Sequence, residues 1–82
     1  RRKVMKVWTL QVSDWDAVNK EYTDRYTRLL SSSIKARREA VRYLTLIKNC
    51  DAVETKDYSK TFYTVSAKDM SGYCVIKQET VG

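Results

Sequence analysis

The sequence predicts a small α+β domain in which an antiparallel sheet of four to five strands carries one main amphipathic helix, at about residues 33–49, on one face. Three observations predict it. Residues 34–49 repeat their apolar positions with a helical period, several flanking segments alternate apolar and polar residues with period two, and Asn, Asp, Ser and Gly fall between them where turns are needed. The same periodicities admit an alternative, a longer helical region over 14–49 with a three-stranded sheet.

The first element is a strand from Val4 to Val12, in which Trp8, Leu10 and Val12 face one way and Met5 and Val7 the other. Ser13-Asp14-Trp15-Asp16 then has the chemistry of a helix start, a hydroxyl to accept a free backbone N–H and acids for the positive end of the dipole, and predicts a helical turn. Residues 20–30 fit both periods. Trp15, Val18, Tyr22, Tyr26 and Leu29 follow helical spacing, whereas Tyr22, Tyr26 and Leu30 share one face of a strand, and Tyr and Thr favour extended backbone. A strand at about Glu21–Leu30 is preferred, because Ser31-Ser32-Ser33 looks like a fresh helix cap.

In the helix, Ala36, Ala40, Tyr43, Leu44 and Ile47 form the inner side, flanked by Ile34 and Val41, while Lys35, Arg38 and Arg42 form the outer side. Asn49 suits its end and Lys48 the negative pole of its dipole. The remainder predicts a meander: Asp51–Lys56, a turn at 57–60, Thr61–Ala67, a turn through 69–72, and Tyr73–Glu79. Val53, Tyr63, Val65, Val75 and one of Cys74 or Ile76 are its expected buried face.

The 82 residues leave room for a single domain, and a chain that is 43% hydrophobic and includes two Trp and six Tyr has the apolar surface to fold. Residues 1–4 are expected to be a disordered or expression-derived extension before a native start at Met5. The apolar stretches fall far short of the roughly 20 residues needed to span a bilayer, and the expected location is the cytoplasm, or the host cytoplasm for a viral protein. Cys50 and Cys74 lie far apart in a chain without histidine, which argues against a zinc site and predicts two reduced, buried thiols.

The net charge of +6 is uneven: residues 1–6 and 33–49 each carry +4, and the two other segments each carry −1. Arg1, Arg2, Lys3 and Lys6 make the first cluster. Lys35, Arg38 and Arg42, flanked by Arg37 and Lys48, make the second. Such a stripe suits an anionic partner, though it equally describes a solvated helix face. Leu46, expected outside the core beside Arg42, adds an apolar anchor for a protein. Tyr22 and Tyr26 beside Arg25 and Arg28 suit base stacking, but large aromatics in so small a domain are expected in its core.

Catalysis has little to draw on. Histidine is missing, no phosphate-cradling glycine motif occurs, and Asp14, Asp16, Glu21 and Asp24 cluster only in sequence. One enzyme class is compatible with the composition, a histidine-free ribonuclease in which cations stabilise phosphoryl transfer, with Arg37, Arg38, Arg42 and Tyr43 or Tyr63 as its candidates. No cofactor or metal is expected.

In general character, compact, basic and proline-free, the chain resembles the small accessory proteins encoded by bacteriophages, which often act by binding a host protein or nucleic acid. The resemblance covers no motif. It implies a non-enzymatic binding protein that modulates a protein partner through the basic helix face, with nucleic acid on the same stripe as the alternative. Open sheet edges also allow a homo-oligomer.

Overall fold

The computed structural model describes residues 5–81. Five strands, β1 (Met5–Asp16), β2 (Glu21–Leu30), β3 (Val53–Ser59), β4 (Phe62–Ala67) and β5 (Gly72–Val81), form one sheet in the order β2-β1-β5-β4-β3, every pairing antiparallel. A helix, α1 (Ser33–Arg42), follows β2 and continues as a π-helical turn, Tyr43–Ile47. Since β2 and β3 are the two edges, the helix carries the chain across one face of the whole sheet. This is the expected α+β architecture, and the strand at Glu21–Leu30 excludes the long-helix alternative.

The core lies between helix and sheet. Leu10 and Val12 of β1, Tyr63, Val65 and Ala67 of β4, and Cys74 and Ile76 of β5 meet Ala36, Ala40, Tyr43 and Leu44 from the helical segment. The two alanines keep the helix axis close to the strands. Ser32 caps α1 by accepting the Lys35 N–H at 3.2 Å, so the serine run acts as the helix start that the sequence suggests. Asn49, at φ 56°, ends the helical segment in the left-handed region that Asn tolerates.

Several local expectations are corrected. Residues 13–16 continue β1 and form no helical turn. The capping chemistry is real but closes a hairpin: the Asp16 carboxylate accepts the N–H groups of Val18 and Asn19 at 2.9 and 3.2 Å, and Lys20 turns the chain at φ 55°. Ser13 instead donates to Asp24 at 2.9 Å.

The β1–β2 register shifts between Val12, opposite Tyr26, and Ser13, opposite Asp24. The extra residue, Arg25, reverses the side-chain parity of β2. Tyr26 and Leu30 therefore pack towards the helix, while Tyr22 lies with Trp15 and Tyr73 on the opposite face. A similar shift between Asp57 and Ser59 lets β3 run on to Ser59, and the expected turn at 57–60 shrinks to Lys60-Thr61.

Both Cys74 and Ile76 are buried, so Val75 between them faces the other way, opposite Thr64. Ile34 and Ile47 are exposed rather than inside, and Cys50 is only half-buried. For Ile47 the reason is the π turn, in which five residues rather than four separate stacked backbone partners: the Lys48 N–H donates to the Tyr43 carbonyl at 3.0 Å.

Candidate functional site: the outer face of the helix

Four side-chain ties fix the helical segment to the sheet. Towards β2, Arg28 pairs with Glu39 at 2.6 Å. Towards β4, the Tyr63 hydroxyl donates to the Ser33 carbonyl at 2.9 Å. Towards β3, Arg37 pairs with Asp57 at 3.6 Å, its guanidinium 4.6 Å from the centre of the Tyr63 ring. Over β1, the Tyr43 hydroxyl donates to Asp14 at 2.8 Å.

These ties sort the cations that the sequence groups together. Arg37 is committed to Asp57 and Tyr63. Lys48 leaves the predicted stripe as well, because the π turn aims its ammonium at Asp14, 3.7 Å away, where Arg25 also pairs at 3.3 Å. Lys35 remains outside with its Nζ donating to Ser31 at 3.2 Å. Arg38 and Arg42 are exposed and form no ion pair among the described residues. Lys6 is exposed near the start of β1, and Arg1, Arg2 and Lys3 lie outside the described residues.

Apolar side chains flank the two free arginines. Ile34, Arg38, Arg42 and Leu46 follow one another at four-residue spacing, and Ile34, Leu46 and Ile47 are 70%, 72% and 68% exposed. Beside this row, between the helical segment and β2, runs an open groove of about 340 Å³ to which Tyr26, Arg42, Leu46 and Ile47 contribute. Leu46 is outside as expected. Ile34 and Ile47, assigned to the core by simple helical spacing, join it there.

Of the residues considered for a cationic ribonuclease, Arg37 and Tyr63 meet, the guanidinium lying over the ring and paired with Asp57, and the rest are dispersed. Arg38 and Arg42 point to solvent, whereas Tyr43 is buried beneath the helix, where desolvation and its bond to Asp14 push its hydroxyl well above the usual phenol range. The Tyr63 hydroxyl is occupied by Ser33. The acids of residues 14–24 also part company: Asp14 serves the helix, Asp16 the hairpin turn and Asp24 the Ser13 hydroxyl.

Among the described residues, no helix is long and apolar enough to cross a membrane. None of the family models, curated proteins or solved structures compared with the chain matches it.

Proposed function

We propose that the chain is a non-enzymatic binding protein, of the phage-accessory kind, that docks an acidic protein partner on the outer face of α1. The observation that carries this reading is the pair Arg38 and Arg42, free of ion pairs among the described residues and bordered by exposed Ile34, Leu46 and Ile47. Carboxylates of a partner would pair with the guanidinium groups, and an apolar side chain would cover Leu46 and Ile47 at the groove beside Tyr26. A nucleic-acid backbone would use the cations but leave three aliphatic side chains in water, which favours protein.

The test is capture from an extract of the source cell, with and without nuclease, comparing the wild type with Arg38→Glu/Arg42→Glu and with Leu46→Asp. A partner retained after nuclease, released by salt and lost in both variants supports the proposal. Capture abolished by nuclease and unchanged by Leu46→Asp replaces it with nucleic-acid binding through Lys35, Arg38 and Arg42. Capture indifferent to both variants overturns it, and a homo-oligomer through a sheet edge would then be sought by sedimentation.

A further inference from the structure

At the far end of the sheet, on the face the helix does not cover, the bulge in β2 brings Tyr22 beside Trp15 and Tyr73. The Trp15 and Tyr22 rings meet at 5.2 Å and 68°, forming a corner, and Tyr73 stands 5.5 Å beyond Tyr22. The β4–β5 turn closes the corner. Its Ser71 carbonyl accepts the backbone N–H of Trp15 at 3.0 Å, its Met70 carbonyl accepts the Tyr22 hydroxyl at 2.8 Å, and Met70 is held at φ 66°. A cleft of about 310 Å³ results, lined by Trp15, Tyr22, Asp69 and Met70.

The chemistry of this lining is unlike that of the helix face. Two ring faces carry negative quadrupoles, the thioether is polarizable, and Asp69 supplies a full negative charge. Hydrogen bonds from Ser71 hold the Asp69 carboxyl below the usual range, so it is ionised at neutral pH. The adjoining β1–β2 hairpin carries Asp16, Glu21 and Asp24 against Lys20 and Arg25, and Lys48 is the cation that acts on Asp69. Trp15 and Met70 are 43% and 52% exposed, so the cleft is open to a ligand.

We propose that the Trp15–Tyr22–Met70–Asp69 cleft is a binding site for an organic cation of the alkylated-ammonium class, lodged in the aromatic corner with its charge towards Asp69. The methyl groups of such a cation share its charge and fit the rings, and that diffuse charge is cheaper to desolvate than that of a bare ammonium. The site is independent of the helix face. Its ligand can be a free quaternary amine or a methylated lysine of a peptide, which share this chemistry.

Titration followed by proton–nitrogen correlation NMR at the Trp15 indole tests it, using choline, the neutral carbon isostere of choline, free trimethyl-lysine and a peptide containing trimethyl-lysine, all at constant ionic strength. The expected result is a saturable shift with choline, and binding of the neutral isostere about tenfold weaker, in the range of a desolvated cation–π contact. Asp69→Asn weakens choline several-fold and Trp15→Leu abolishes binding, read for the latter at the Tyr22 and Met70 amides. Equal affinity for choline and free trimethyl-lysine identifies a small-amine site; a clear gain in the peptide identifies a protein ligand, and both support the proposal. It is overturned if no cation gives a saturable shift, if the neutral isostere binds as well as choline, or if Trp15→Leu binds unchanged in a protein whose other resonances keep their dispersion.

Discussion

Lys48 follows Tyr43 by one π-helical turn, and the two side chains end on opposite oxygens of one carboxylate: the Tyr43 hydroxyl reaches Asp14 Oδ1 at 2.8 Å and the Lys48 ammonium lies 3.7 Å from Oδ2. In a regular α-helix Ile47 would stand nearest above Tyr43; the wider turn puts Lys48 there and sends Ile47 to the surface. One local change of helical pitch therefore anchors the helix over β1 and enlarges its exposed apolar row.

Tyr43→Phe should lower stability by about 2 kcal/mol at neutral pH, the range for a hydrogen bond to a charged acceptor, as read by urea denaturation. Because the folded-state value of Tyr43 is raised above its unfolded value near 10, its stabilisation is complete below pH about 10 and is lost as pH climbs through the folded value. The wild type should thus lose stability on alkaline titration more steeply than Tyr43→Phe. Parallel curves for the two proteins would contradict the assignment.

Gly72 opens β5 where Leu44 presses on the sheet, and a Cβ added there would fall 2.6 Å from Leu44 Cδ2. Leu44 is fully buried, so it has little room to yield. Gly72→Ala should cost about 1–3 kcal/mol, the usual penalty for overpacking. Gly72→Ala with Leu44→Val should recover part of the loss, measured as a double-mutant cycle in thermal or urea unfolding.

The two thiols should separate kinetically. Burial pushes Cys74 up to about 12, leaving it protonated and shielded, whereas Cys50 is half-buried beside the Ser71 hydroxyl at 3.3 Å. A maleimide at pH about 8 should add once to the native protein, at Cys50, and twice after unfolding, as intact mass and peptide mapping would show. Rapid native labelling at Cys74 would be the opposing result.

Arg38→Glu/Arg42→Glu should leave folding almost untouched, within about 0.5 kcal/mol, since neither arginine forms an ion pair among the described residues. Arg28→Ala, by contrast, removes the 2.6 Å pair that ties α1 to β2 and should cost up to about 1 kcal/mol. Comparing their unfolding midpoints separates the side chains that hold the helix from those that it presents.

The periodicity of the sequence was a sound guide at most positions of a segment with one uninterrupted period, Ile34 and Val75 being the exceptions. Trp8, Leu10 and Val12 share the helix-facing side of β1, Ala36 and Ala40 lie inside, and Ser32 caps the helix. It failed where a single residue changes the phase. Arg25 moves Tyr22 to the opposite face of the sheet, and the π turn exchanges Ile47 for Lys48. Neither event has a local composition signal of its own; each depends on tertiary partners, Trp15 and Tyr73 in one case and Asp14 in the other. The basic stripe was legible as charge but not as availability, because Asp57 and Asp14, which engage Arg37 and Lys48, are remote in sequence.

The strand order has a kinetic consequence. The central seam joins β1 to β5, with Trp8 opposite Gln78, so it closes only after nearly the whole described chain has been gathered. Closing so long a loop is entropically expensive before any contact offsets it, and folding should be slow for a protein of this size. Until then the β1–β2 and β3–β4 hairpins each expose an inner edge that β5 alone satisfies in the native sheet. During synthesis, β5 emerges after the other four described strands and turns two sticky hairpins into a single closed framework.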